Sequence, residues 1–309
     1  MDLSIIIVNY NLGKEIKECL KSIQNTLQNL TFEIIIVDNC SEKNEKEYLI
    51  QLQKELSKDI NNLDIYYLDK NIGFGGANNF GYSKSNGEYL CFLNPDTILI
   101  ENIFPPLLNI FRNNKNLGVL GPKIINNNGQ QERSFGLFPN IITEMLNIFY
   151  LLPKYEILRL NKKAKLKNND FVDVDWVTGS ALLIKRNVFK EIAGFDISFF
   201  MYSEEIDLCK RISEKNYLIG FVPDFKIIHL KSVSSKKDYF FFTKVSYESK
   251  LIYIKKHFNG LKGIIIRISV ILQILNQVIL WMLLYPFNRK KSIDKLKAFP
   301  NLIVSFLFK

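Results

Sequence analysis

The chain has 309 residues, 47% of them apolar, ample for the core of one α/β domain with a tail. Its net charge of +10 favours an anionic partner: a nucleotide, a nucleic acid or a membrane lipid. The four scattered cysteines, Cys19, Cys40, Cys91 and Cys209, lack the paired spacing of a metal site and fit a reduced, cytosolic protein.

The opening MDLSIIIVNYN has an acid at position 2 and no basic run, so it reads as a strand rather than a signal peptide. Leu3–Val8 is apolar throughout, as a strand buried on both faces requires. Ile16, Leu20, Ile23 and Leu27 have helical spacing within Lys14–Gln28. Phe32–Val37 is a second buried strand ending at Asp38, and Glu45–Leu56 a polar helix. Leu63–Leu68 is a third strand, Ala77–Ser85 a short helix, and Glu88–Leu93 a fourth strand ending at Asn94-Pro95-Asp96. Strands alternating with helices predict crossover units and a mostly parallel sheet, which binds ligands beyond the carboxyl ends of its strands. Asp38, the glycine-rich stretch NIGFGGANNFG (71–81) and Asp96 all fall at those ends.

Beyond Asp96 the rhythm changes. Pro105 and Pro106 open a helix through Phe111, and Asn127-Asn128-Gly129 predicts a turn between Val119–Ile125 and Gln130–Ser134. Ile141–Leu166 is irregularly helical, with lysines 162, 163, 165 and 167 near its end. Val172–Val177 and Ala181–Ile184 predict a strand pair around Thr178-Gly179-Ser180. Helices start near Asn187 and Ser203, and Leu218–Val222 and Lys226–Leu230 read as the last strands. Ile268–Phe287 is a 20-residue run without charge, about the length that crosses a bilayer. Ser269, Gln273, Asn276 and Gln277 nevertheless share one helix face, and basic residues flank both sides. The tail reads either as a core or oligomer helix with a polar stripe, or as an attachment to anionic lipid.

Several groups carry chemistry. The glycine stretch narrowly misses two phosphate-binding motifs: Asn78 stands where G-x-G-x-x-G needs a third glycine, and Tyr82 where a P-loop needs lysine. Asn94-Pro95-Asp96 is good turn chemistry, and it also presents a carboxylate suited to Mg²⁺ or Mn²⁺ bridging a diphosphate. Glu204, Glu205 and Asp207 suit a helix N-terminus, with Asp207 placed to pair with Arg211, and one of them could be a general base. His229 is followed by Lys231, Ser232, Ser234, Ser235, Lys236 and Lys237, a cluster able to hold phosphates. Asp38-Asn39 ends a strand and could read a nucleobase edge.

Seven motifs stand in order: S-I-I-I-V-N-Y-N (4–11), V-D-N-x-S (37–41), N-x-G-F-G-G-A-N-N-x-G (71–81), L-N-P-D (93–96), W-V-T-G-S-A-L-L-I-K-R (176–186), G-F-D-x-x-F-F-M-Y-x-E-E-x-D-L-C-x-R (194–211), and His229 with its serines. In this the chain resembles the bacterial family 2 glycosyltransferases of the rhamnosyltransferase-like group, from Leu3 to about Gly260. The resemblance implies the GT-A fold, a mixed and mostly parallel sheet flanked by helices, with the apolar helical tail appended. It implies a catalytic domain over 1–260, with a nucleotide-sugar half (1–96) and an acceptor half (97–260), and a tail over 261–309.

Roles follow by resemblance. Asn9, Tyr10 and Asn11 would line the nucleotide pocket, Asp38 would bond the pyrimidine, and Asn71, Gly73 and Asn78 would close on the nucleoside. Asp96 matches the last acid of a D-x-D element and His229 a histidine that completes the site of a divalent metal, Mg²⁺ or Mn²⁺. Glu204-Glu205 matches a Glu-Asp pair that supplies the base, and Trp176, Gly179 and Asp207 are acceptor-side candidates. Three departures stand out: Asn94 replaces the first acid of D-x-D, Glu205 replaces Asp and leaves open which acid is the base, and H-L-K-S-V-S replaces H-x-G-G-x-S.

The expected reaction is inverting transfer from dTDP-rhamnose or a UDP-hexose to a surface-polysaccharide or polyprenyl-linked glycan, since one base and direct displacement invert the anomeric carbon. The expected place is cytoplasmic, peripheral at the inner face of the plasma membrane, with no nucleic acid partner and a possible homo-oligomer through the tail. The alternatives are a nucleotide-binding oxidoreductase using the Gly73 loop and a catalytically inactive glycan-binding homologue.

Overall fold

The computed structural model describes residues 1–56, 62–165, 170–230 and 238–308. Its elements run β1 (Leu3–Asn9), α1 (Gly13–Thr26), β2 (Phe32–Asp38), α2 (Lys43–Leu56), β3 (Leu63–Tyr67), α3 (Gly73–Lys84), β4 (Tyr89–Leu93), β5 (Thr97–Leu99), α4 (Phe104–Asn113), β6 (Leu117–Ile125) and β7 (Phe135–Gly136). There follow α5 (Ile141–Ile148), α6 (Leu152–Lys165), β8 (Val172–Asp173), β9 (Trp176–Val177), β10 (Ala181–Lys185), α7 (Arg186–Glu191), α8 (Glu204–Glu214), β11 (Leu218–His229), α9 (Tyr239–His257), α10 (Gly260–Leu283) and α11 (Arg289–Phe308). They form two compact units. One holds 1–136, 166–197 and 205–232; the other gathers 137–165, 198–204 and 233–309.

The first unit is built on a sheet of order β3-β2-β1-β4-β10-β6-β11-β5, with β8 paired to β11. β1 to β4, β6 and β11 point one way; β10, β5 and β8 run against them. The apolar runs explain this placement. Every residue of β1 and β4 is buried, as strands covered on both faces must be. α1 lays Ile16, Cys19, Leu20 and Ile23 into the same core as Ile5, Ile7, Ile34 and Ile36.

Four expectations need correction. The segments Val172–Val177 and Ala181–Ile184 do not pair with each other: β8 joins β11, β9 joins β7 in a separate two-stranded sheet, and β10 inserts between β4 and β6. The two final strands are one, β11, with an irregularity between Val222 and Lys226 where Pro223 cannot donate to the ladder. The helix expected over Ala77–Ser85 begins earlier, at Gly73, so the glycines form its first turn rather than a loop. The hairpin expected around Asn127–Gly129 keeps its turn but only a single bridge, Ile125 to Gln131.

The second unit is helical. α9, α10 and α11 share a core of Leu251, Ile254, Ile266, Val270, Ile274, Phe299, Leu302 and Phe306. α5 starts on a capping box, with the Asn140 side chain accepting from Ile142 N and Thr143 N. The chain turns between α5 and α6 at Tyr150, whose φ is 57°.

Candidate active site

Parallel pairing sets Asn9 beside Asp38 at the carboxyl ends of β1 and β2. Asn9 Nδ2 donates to Asp38 Oδ1 at 2.7 Å and to Ser41 Oγ at 3.1 Å, while Asp38 Oδ2 accepts from Ser41 N. Asn9 and Asp38 are both fully buried. Asn11 adopts φ 58°, accepts from Glu42 N through its side chain and donates its own N–H to Ser41 Oγ. Tyr10 is exposed beside them. Asn39 joins the next loop: its Nδ2 donates to Asn71 Oδ1 and Gly73 O, and its Oδ1 accepts from Ile72 N. Asn71 also accepts from Gly73 N, and Gly73 takes φ 76° at the first turn of α3.

The remaining glycines of that stretch serve packing. A Cβ on Gly75 would stand 3.0 Å from Phe195 Cβ, and one on Gly81 only 2.5 Å from Ile6 Cγ2. Gly81 thereby lets α3 lie close on the sheet. Asn78 is buried and donates to Phe74 O within its own helix.

A second group forms at the end of β4. Asn94 N donates to Ser180 O and Thr97 Oγ1 to Asn94 O, closing the Asn94–Thr97 turn. β5 pairs with β11 so that His229 stands opposite Thr97. This brings His229 Nε2 to 3.2 Å from Asp96 Oδ1 and 3.4 Å from Asn94 Nδ2. On the other side of the ring, Nδ1 lies 3.8 Å from Glu132 Oε2. Cys19 sits below, but burial pushes its thiol up to about 12, so it supplies no thiolate. Among the described residues, no group of three or more His, Cys, Asp and Glu stands together as a metal cage. Asp96 and His229 therefore offer two converging ligand atoms, the number from which Mg²⁺ or Mn²⁺ is commonly held when substrate phosphates and water fill the rest.

α8 carries the other acids. The chain enters it through Tyr202 (φ 70°) and Ser203 (φ 66°), two successive left-handed residues that are not glycine. Glu204 is buried. Glu205 lies beside Gly179: a Cβ there would come 3.7 Å from Glu205 Cβ and 3.8 Å from Phe74 Cε1. Asp207 is fully buried and accepts from Arg211 Nε at 2.8 Å, while Arg211 Nη1 donates to Ile192 O. Trp176 is buried against Gly136 with the Arg133 guanidinium 4.8 Å over its ring. The lysines and serines after His229 fall outside the described residues.

Glu132 and Ser41 escaped sequence reasoning. Glu132 follows a surface turn, and no spacing signal distinguishes it from a solvated acid. Ser41 and Asn39 stood in the V-D-N-x-S motif, yet their cross-loop bonding shows only in three dimensions.

The sequence profile described as "Glycosyl transferase family 2" matches residues 4–193. The chain belongs to glycosyl transferase family 2. The Haloferax volcanii "Low-salt glycan biosynthesis hexosyltransferase Agl10" is 30% identical over 76% of this chain and 69% of its own length. The Escherichia coli "Rhamnosyltransferase WbbL" is 27% identical over 73% and 82%. A Mycobacterium tuberculosis "N-acetylglucosaminyl-diphospho-decaprenol L-rhamnosyltransferase" is 23% identical over 84% and 85%. Among solved structures, a mannosyltransferase from Pyrobaculum calidifontis in complex with GDP-Man and Mn²⁺ superimposes with a TM-score of 0.62 at 13% identity, over 99% of this chain and 87% of that one. The family 2 glycosyltransferase thus has the GT-A fold, and the oxidoreductase alternative falls away. Its near-motif glycines meet Phe195, Ile72 and Ile6 instead.

Proposed function

We propose that this family 2 glycosyltransferase is an inverting, metal-dependent enzyme that moves rhamnose or a hexose from dTDP-rhamnose or a UDP-hexose to a surface-polysaccharide or polyprenyl-linked glycan. The observation that carries the reading is the convergence of Asp96, Asn94 and His229 at the carboxyl end of β4. The hexosyl- and rhamnosyltransferases among its relatives, one named for a decaprenol-linked substrate, support the sugar and acceptor classes.

Asp96 and His229 would hold the divalent metal, and Glu132, behind Nδ1, would keep the imidazole turned toward it. A bound Mg²⁺ or Mn²⁺ supplies positive charge where the leaving diphosphate gains negative charge. Asn9, Tyr10, Asp38, Asn71 and the first turn of α3 would form the nucleoside side. Glu205 takes the proton of the acceptor hydroxyl as it attacks the anomeric carbon and the nucleoside diphosphate leaves, and Gly179 lies against Glu205 with no side chain of its own. Glu204 is the rival base. The enzyme works at the inner face of the plasma membrane, where a polyprenyl-linked acceptor is presented.

The purified chain is incubated with a panel of nucleotide sugars and a polyprenyl-diphosphate glycan, and free nucleoside diphosphate is measured. Turnover with one donor, stopped by EDTA and restored by Mn²⁺, is the expected result. Full turnover in EDTA removes the metal role. No turnover with any donor, together with retained glycan binding, favours an inactive binding homologue.

A further inference from the structure

α10 buries a polar row beside its core residues Ile266, Val270 and Ile274 and exposes an apolar one. Its polar row, which by sequence suits either solvent or a partner, faces α5. Gln273 Nε2 donates to Glu144 O and Oε2 at 2.9 and 2.7 Å, Asn276 Nδ2 to Ile148 O, and Gln277 Nε2 to Tyr150 Oη. Lys250 Nζ closes this partly buried network on Glu144 Oε2 and Gln273 Oε1. The opposite face is an uninterrupted apolar row: Leu261, Ile264, Ile268, Leu272, Leu275, Ile279 and Met282. These residues are 44% to 72% exposed, where the outward face of a soluble helix is ordinarily polar and a contiguous apolar patch marks an interaction surface. Only 28% of the most apolar window of α10 is buried, unlike the core helix of a soluble protein.

α5 and α6 add a second outward row. Ile142, Met145 and Phe149 lie at helical spacing, followed by Leu151, Ile157 and Leu158, all exposed. Between and beside them stand the exposed cations Lys154, Arg159 and Lys162. The acids of this region, Glu144 and Glu156, are buried, and Glu156 accepts from Leu137 N. No acid occurs between Glu248 and Asp294, whereas Lys255, Lys256, Lys262, Arg267, Arg289, Lys290 and Lys291 do. Lys255 and Arg267 line a notch of about 340 Å³ at the border of the apolar row.

We propose that the second unit is seated in the surface of an anionic bilayer, with the outward rows of α10 and α5–α6 in the acyl layer and the cations at the headgroups. The proposal rests on the membrane-face placement given above and specifies which residues meet lipid and how. α10 has the length and composition to cross a bilayer. Crossing conflicts with what lines its inner face. The end of α5 and the irregular backbone at Phe149–Leu151 lie alongside the middle of α10, next to Asn276 and Gln277. In a span that turn, the Lys250–Glu144 pair and the cations of α6 would come near the middle of the hydrocarbon, where unpaired backbone groups and charges are most costly. Lying in the plane leaves them on the protein side or at the headgroups.

Binding of the full chain is measured by co-sedimentation with vesicles of phosphatidylcholine alone and of phosphatidylcholine with phosphatidylglycerol. Tight binding to the anionic vesicles is expected. Leu272→Glu with Ile279→Glu weakens binding to both by at least about tenfold, and Lys154→Glu with Arg159→Glu weakens only anionic binding. Circular dichroism and thermal melting check that each variant is folded; if the α10 pair unfolds, Ile264→Ser with Ile268→Ser replaces it. A dye placed by Ile264→Cys, Leu272→Cys or Ile279→Cys, in a Cys40→Ser background, is quenched by headgroup-proximal quenchers at all three positions. Equal binding by parent and variants overturns the proposal. So does strongest quenching at Leu272→Cys by a chain-end quencher, which means a span, or a lipid-free dimer that the α10 variants split, which means a second copy. The assay needs no turnover, so its failure leaves the transferase reading standing, and a failed transferase assay leaves this one.

Discussion

His229 stands opposite Thr97 in the β5–β11 pairing, and that register brings its Nε2 to 3.2 Å from Asp96 Oδ1. Two candidate ligand atoms from distant segments meet because a three-residue strand aligns them. His229→Ala and Asp96→Ala are each expected to lower turnover by at least about 100-fold. Mn²⁺ with a nucleoside diphosphate is expected to stabilise the parent thermally, and this stabilisation should vanish in both. A variant that keeps this stabilisation would place the metal elsewhere.

Glu205 and Glu204 can be separated by kinetics. Glu205→Gln should keep donor affinity while kcat falls by about 10² to 10⁴. Glu204→Gln should retain most of the turnover. The reverse result assigns the base to Glu204.

The proposed role of Glu132 is exerted through His229, 3.8 Å away. Glu132→Gln should raise the Mn²⁺ concentration needed for half-maximal activity by about 10-fold to 100-fold, with turnover largely recovered at saturating metal. A fall in turnover that excess metal does not relieve would argue against this positioning role.

Much of this was legible. The all-apolar runs announced β1, β2 and β4, and the polar residues closing them marked the sheet end where Asn9, Asp38 and Asp96 lie. Insertion of β10 between β4 and β6 was not legible, because Ala181–Ile184 has the same apolar character whether it pairs with its chain neighbour or with strands whose paired residues lie 63 to 96 positions earlier. β5 is only Thr97–Leu99, too short for periodicity to register. The orientation of α10 was hidden for a related reason. Its polar row shows in the spacing of Gln273, Asn276 and Gln277, but the partners, Glu144, Ile148 and Tyr150, lie more than 120 residues earlier.

Gly81 tests the packing account of the glycine stretch. Gly81→Ala sets a Cβ 2.5 Å from Ile6 Cγ2 and should cost about 1 to 3 kcal/mol of stability, read from denaturant midpoints. A stability unchanged from the parent would mean that α3 does not lie so close to β1.

The thiols give a further check. Burial pushes Cys19 and Cys209 up to about 12 and Cys91 higher still, while Cys40 is partly exposed. The thiolate is the reacting form, so at pH 8 a maleimide should modify Cys40 alone in the folded chain and all four after denaturation. Rapid labelling of Cys91 in the folded chain would contradict its place in β4.

The Asn39 side chain bonds Asn71, Ile72 and Gly73 at once, stapling the loop after β2 to the entrance of α3. In the proposed donor site, two segments that a nucleotide would otherwise have to gather are joined before it arrives. The entropy of ordering them is lost in folding and not in binding. Asn39 is thus expected to raise donor affinity through this staple, and its loss to surface as a weaker Michaelis complex around an intact catalytic group.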